Sequence, residues 1–239
     1  MPFPAFSLPA ADRYVLKNAT LPAITVDGFA GQAGSEGLIR ADIVIANGKI
    51  EAVLAAGKAP DGLPVADLDG GMAWPCFSDM HTHLDKGHIW ERSPNPTGDF
   101  NGALDAVRND REARWSAADV RARMEFSLKT AYAHGTSLIR THLDCLPPQH
   151  RISFGVFGEL RDAWKDRIDL QAVALFPLDM ITDEAFFGDL TDVVAGHGGL
   201  LGGVTYLMPD LEAHLDTLFR TAAERGLDVD LHVDETQDR

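Results

Sequence analysis

Residues 73–85 read Ala-Trp-Pro-Cys-Phe-Ser-Asp-Met-His-Thr-His-Leu-Asp, a largely apolar run that closes on His81-Thr82-His83 and then Asp85. In an extended strand, side chains two apart share a face, so His81 and His83 can reach one point together. Histidine followed two residues later by aspartate recurs as His142-Leu143-Asp144 and His232-Val233-Asp234, again at the ends of apolar runs. Neutral imidazoles delivered by several strand ends suit one Zn²⁺ or Fe²⁺. Polar groups gathered at the ends of several strands are also how a (β/α) barrel builds its active site.

The pattern differs on the two sides of this stretch. Upstream, residues 14–19, 42–46 and 49–54 read as strands, and Asn47-Gly48 between the last two supplies the positive φ angles of a tight hairpin turn. Residues 28–37 and 59–64 are loops by composition. Downstream, apolar strands at 72–80, 137–141, 170–176, 201–207 and 229–233 alternate with helical patterns. The helices span 117–133, 154–166 and 184–195, with a further one marked by Leu211, Leu215, Leu218, Phe219 and Ala222 and ended by Gly226. Ser116 is placed to cap the first of these and Gly135 to stop it, with Val120, Met124, Leu128 and Ala131 as its apolar stripe. Residues 86–113 show no clear period.

Strand–helix alternation argues for parallel βαβ units. The expected fold class is α/β, the first five strands of a (β/α)8 TIM-type barrel preceded by a small N-terminal β-sandwich part. The expected boundaries are 1–70 and 71–239. A closed barrel takes eight strands and about 250 residues of its own. An open half-barrel exposes an edge strand, which folded proteins avoid. The remainder is therefore expected from missing sequence or from another chain, with a homo-oligomer as a further option.

Composition narrows the partners. The chain has 239 residues, 45% of them hydrophobic, which is enough for a real core. Thirty-six acidic residues against twenty-one basic ones give a net charge of -15. That speaks against nucleic acid as a partner, because phosphates need a basic face. Cys76 and Cys145 are the only cysteines, too few for a disulfide framework. Residues 1–11 lack a signal-peptide pattern, and no apolar run reaches the length of a membrane span. A soluble cytoplasmic protein without membrane contact is expected.

The N-terminal β segment with its Asn47-Gly48 hairpin, followed by Pro75-Cys76-Phe77-Ser78-Asp79-Met80-His81-Thr82-His83, resembles the amidohydrolase superfamily. There the stretch usually reads Pro-Gly-Phe-hydrophobic-Asp-x-His-x-His, so Cys76 and Ser78 are departures. Arg140-Thr141-His142-Leu143-Asp144 and His232-Val233-Asp234-Glu235 are similar to the ends of strands two and five in the cytosine deaminase branch. The resemblance covers residues 14–236. It implies His81, His83 and His232 as ligands of one divalent ion, zinc or iron, and Glu235 as the group that shuttles a proton to a ring nitrogen. The family's histidine after strand six and aspartate after strand eight have no counterpart in this sequence.

The resemblance also frames the remaining candidates. His142 and Asp144 are orienting groups or pocket wall, or have a structural role, and Asp85 and Asp234 orient the adjacent histidines or cap turns. Leu178 stands where the branch carries a pyrimidine-binding glutamine. Leucine cannot make those hydrogen bonds, which puts cytosine itself in doubt and leaves Asp179 as a substitute. Two-metal relatives bridge their ions with a lysine on strand four, and residues 202–207 contain no lysine, so a single ion is expected. Lys86, His88 and Arg92 lie on a loop over the site or on a solvated one.

The function so implied is hydrolysis of a carbon–nitrogen bond other than a peptide bond. It is deamination of an amino-substituted nitrogen heterocycle, with a metal-activated water attacking the amino-bearing ring carbon. A cyclic amidohydrolase on the same scaffold is the alternative. A truncated, non-catalytic chain or a subunit needing a complementing half is the alternative from another class, and the isolated chain is expected to be inactive. The cytidine-deaminase type of zinc enzyme is disfavoured, because its His-x-Glu and Pro-Cys-x-x-Cys pattern is missing.

Overall fold

A computed structural model describes residues 7–29 and 31–234, in two compact units that divide between Pro75 and Cys76. The first unit holds β1 (Arg13–Pro22), β2 (Leu38–Ala46), β3 (Lys49–Ala55) and β4 (Val65–Asp67). They form one sheet in the order β3-β2-β1-β4, antiparallel except for the parallel β1–β4 pair. Asn47 and Gly48 both take positive φ, 51° and 74°, and turn β2 into β3 as that dipeptide predicts. Ala19, Leu21, Ile39, Ala41 and Ile43 form its small core. Asp42 is buried beside it, and its carboxylate accepts the backbone N–H of Asn18 at 3.0 Å and of Gly57 at 2.8 Å. The described residues of this unit make a single sheet rather than two packed layers.

The second unit runs β5 (Phe77–Thr82), α1 (Phe100–Arg114), α2 (Ala117–Ala133), β6 (Thr136–Asp144), α3 (Gln149–Trp164), β7 (Asp169–Leu175), α4 (Glu184–Gly196), β8 (Leu201–Val204), α5 (Leu211–Arg225) and β9 (Val229–His232). Strands β5, β6 and β7 pair in parallel, as do β8 and β9. The parallel bridges Val173↔Leu200 and Pro177↔Val204 carry the order from β7 to β8. The strands thus follow one another in chain order, as in part of an amidohydrolase-type barrel, and the described residues do not close it.

Local sequence explains most of these elements. Ser116 Oγ accepts the Asp119 N–H to start α2, and Val120, Met124 and Leu128 are fully buried along its stripe. Asp183 caps α4 through the Phe186 N–H, and Gly226, at φ 64°, ends α5. Phe154, Phe157 and Leu160 of α3 join Leu143, Ala172 and Ala174 of the strands in the main core.

Four expectations need correction. β5 starts at Phe77, not 72, and continues through His81. Despite its apolar sequence it is exposed: Phe77 is 55% and Met80 72% accessible. The reason is that β5 has a strand partner on one side only among the described residues. α3 begins five residues early, at Gln149, because Gln149, His150 and Ser153 are buried rather than looped out. β8 ends at Val204, short of 207. The aperiodic stretch 86–113 contains helix α1. Among the described residues, no helix is long and apolar enough to cross a membrane.

Gly202 decides how closely β8 can lie between its neighbours. A Cβ there would sit 2.4 Å from the Ala174 carbonyl oxygen and 2.6 Å from that of Asp230. Both obstacles are backbone, so the strands themselves would have to part. We expect Gly202→Ala to cost at least about 2 kcal/mol in urea unfolding, whereas an unchanged midpoint would show that the strands pack less tightly.

Candidate metal centre

Parallel register assembles the site. Thr82 pairs with Thr141, so His83 and His142, each one residue further on, leave β5 and β6 side by side. The offset between β5 and β6 changes by one residue between Asp79 and Thr82, a bulge within the pair Met80 and His81. Bulges re-aim side chains, and this one sits where the first histidine must turn inward. Val204 pairs with His232, which places the last histidine beside the end of β8.

The four imidazoles pack as one cluster. His81 stacks on His142 with centroids 4.1 Å apart, and His232 lies 4.6 Å from each of them. One ligand atom from each of His81, His142 and His232 falls within a 4.8 Å group. His83 joins from the other side, its Nε2 3.5 Å from Nε2 of His232. Two nitrogens each about 2.0–2.1 Å from a tetrahedral zinc lie about 3.3 Å apart, close to that spacing.

The donor atoms suit a cation. His83 Nδ1 is 3.1 Å from the carbonyl oxygen of His142. A carbonyl only accepts, so Nδ1 carries the proton and the Nε2 lone pair is left to face His232. Burial lowers the His83 pKa to about 3, with Lys86 adding to the effect. Burial also lowers that of His142 to about 4, helped by His81 and His232. Both rings are therefore neutral at pH 7. His142 is fully buried, and neither of its ring nitrogens has a hydrogen-bond partner among the described residues. Leaving buried polar atoms unpaired costs free energy, so His142 competes with His83 for a place beside a bound cation. Three imidazoles around one point are the donor set of a single divalent zinc or iron ion.

The other candidates separate. Asp85 is buried, and its carboxylate accepts the Asp144 N–H at 2.8 Å and the Ser153 hydroxyl at 3.2 Å. Arg123 donates to the Asp85 carbonyl. Asp85 thus ties the end of β5 to β6 and α3, and among the described residues its carboxylate bonds to no histidine. Burial and the charge of Asp144 push its carboxyl upward. Asp144 receives Lys86 Nζ at 2.8 Å and Arg111 Nη1 at 3.0 Å. Asp234 is exposed, at φ 59°. Glu235 lies outside the described residues.

A cavity of about 360 Å³ opens beside His83 and His232. Leu175, Phe176 and Tyr206 wall it at the strand ends, and α1 covers it. Leu178 does not line this cavity; it is buried in the main core. Asp179 is exposed and also outside the lining. Of the three loop candidates, Lys86 lines the cavity. His88 Nε2 contacts the Ser127 hydroxyl at 3.0 Å, and Arg92 pairs with Asp110 and Asp119. Sequence reasoning missed the contribution of α1. The available signal was the recurrence of Phe100, Leu104, Val107 and Arg111 on one helical face behind the N-cap Asp99.

Comparison with known proteins follows the same line. Along all 239 residues the chain is 68% identical to a pterin deaminase of Rhizobium rhizogenes strain K84. The chain spans 54% of that relative, about half its length. An N-isopropylammelide isopropyl amidohydrolase of Pseudomonas sp. strain ADP is 25% identical over 181 residues, 70% of this chain and 43% of its own. Among solved structures, a 5-methylcytosine deaminase from Klebsiella pneumoniae superposes with a TM-score of 0.71 at 22% identity. That superposition covers 94% of this chain and 52% of the other, and shows the shared fold. An N-isopropylammelide isopropylaminohydrolase from Burkholderia multivorans gives a TM-score of 0.65 at 26% identity, covering 94% and 54%. No protein-family model matches the chain.

The Asp85 clamp carries a testable consequence. Asp85→Ala removes the acceptor of a buried backbone N–H and should cost about 2–3 kcal/mol, against about 1 kcal/mol for Ser153→Ala. Denaturant midpoints of the two variants read this directly, and equal small losses would show that the clamp is not needed.

Proposed function

We propose that this chain forms the metal-holding part of a hydrolytic deaminase acting on an amino-substituted nitrogen heterocycle. The observation that carries the reading is the convergence of four histidines beside a cavity at parallel strand ends. The 68% identity to a pterin deaminase supports it and makes a fused, pterin-like ring the first substrate to try. The complete protein is then a (β/α)8 barrel with an N-terminal β-sandwich part, in which β5 to β9 are the first five strands. A cytoplasmic setting is part of this reading, supported by two unpaired thiols, Cys76 and Cys145.

In this scheme His81, His83 and His232 hold one zinc or iron ion. Bound there, the ion supplies Lewis acidity that brings the pKa of a water to about 7. The carbonyl of His142 keeps His83 in the tautomer that offers Nε2, and the His142 ring backs His81. Phe176 and Leu175, with the apolar residues of α1, keep bulk water from the ring face. Glu235 holds the proton given to the ring nitrogen beside the amino-bearing carbon, which makes that carbon more electrophilic. Leu178 takes no part in reading the ring edge, so that task falls to groups that line the cavity.

Two measurements test this. Metal analysis of the protein should give one ion per chain, falling to a small fraction in His83→Ala and His232→Ala but persisting in His142→Ala. Loss in His142→Ala with retention in His83→Ala would move the third ligand to His142. Incubating the full-length, metal-loaded protein with pterin should release ammonia and leave the ring closed. A ring-opened acid would instead mean hydrolysis of a cyclic amide.

A further inference from the structure

The cavity beside the histidines is cationic in a chain that is strongly acidic. The whole chain carries -15, yet among the described residues the charged groups lining the cavity, histidines apart, are Lys86, Arg108 and Arg111 against one acid, Asp144. Asp144 accepts from Lys86 at 2.8 Å and from Arg111 at 3.0 Å. One carboxylate between two cations leaves a positive charge over. Asp85 does not supply the balance, because its carboxylate turns to the Asp144 N–H and Ser153 and lies outside the lining. Among the described residues, Asp144 is the side-chain acceptor that engages Arg111, and the rest of its guanidinium fork stays available. Arg108 pairs with Asp105 at 3.2 Å, but both side chains are more than half exposed, so that pair is weak and exchangeable.

The same wall offers a surface for a flat ring. Phe100, Leu104, Val107, Arg108 and Arg111 share one face of α1, and all five line the cavity. Phe100 and Leu104 remain 46% and 42% accessible although they are apolar. A volume of about 360 Å³ admits a small heterocycle.

We propose that α1 is a specificity wall, on which Arg108 and Arg111, with Lys86, bind a carboxylate carried by the planar heterocycle while Phe100 and Leu104 cover its ring. The inference rests on the reading that this cavity is the substrate site. It assigns to that site an anionic class of substrate and gives the arginines a role in selection rather than in chemistry. Arginine forks match carboxylates in shape as well as in charge, which is why these residues would discriminate an acid from its amide.

The test compares 2-aminopyrimidine-5-carboxylate with the matching 5-carboxamide by titration calorimetry. Protein is used metal-loaded and again after chelation. The carboxylate should bind about tenfold tighter than the amide, in line with a charge-assisted hydrogen bond. The preference should shrink with added salt, survive chelation, and fall in Arg111→Gln and in the exposed Arg108→Gln. Equal binding of the two probes would overturn the proposal. So would a preference that vanishes with the metal, because the carboxylate would then be ligating the ion. Ammonia release is read separately. A carboxylate preference without deamination leaves the arginine wall standing and sinks the deaminase reading, and deamination without the preference does the reverse.

Discussion

Everything at this site depends on parallel strand pairing in a fixed register. Parallel strands end at one level, so residues far apart in sequence meet when each lies at the end of its strand. Thr82↔Thr141 sets His83 beside His142, and Val204↔His232 sets the last histidine beside the end of β8. A slip of one residue would turn His142 to the helix-packed side, where Leu143 is buried in the core. The consequence is a layered interior. Arg140 joins Gln171 at 2.9 Å and Asp230 at 2.8 Å one step below the histidines. The imidazoles form the next layer, and Lys86, Asp144 and Arg111 sit above them. Alternate residues of β6, namely Arg140, His142 and Asp144, contribute to each layer in turn.

Local patterns make part of this legible in the amino-acid sequence. The Asn47-Gly48 hairpin and helix α2, capped by Ser116 and ended just before Gly135, appear where turn chemistry and capping put them. Those signals work because they act within a few residues. α1 is hidden because acidic and basic residues interrupt its apolar stripe and two cavity-facing members of that stripe are arginines. The burial of β5 departs from its pattern for a different reason. Its apolar residues describe a strand with two neighbours, and the described residues give it one.

The histidines are visible as a repeated motif, but their geometry is not. Whether His142 stacks on His81 or turns away depends on the bulge in β5 and on the β5–β6 register, both of which are tertiary facts. The position of Leu178 shows the same limit. Its place in the chain matches a substrate-binding residue of the resembled branch, yet here it fills the core beside Gly203. The cationic lining is invisible for a third reason. Lys86, Arg108 and Arg111 come together only when α1 folds over the strand ends, and the overall acidity of the chain points the other way.

The central claim is that this histidine cluster holds one ion through imidazole nitrogen. X-ray absorption at the zinc edge of the zinc-loaded protein tests it most directly. The account predicts about three imidazole nitrogens at about 2.0–2.1 Å, with the outer-shell scattering of the rings. A shell of sulfur at about 2.3 Å, or of oxygen without ring scattering, would contradict it.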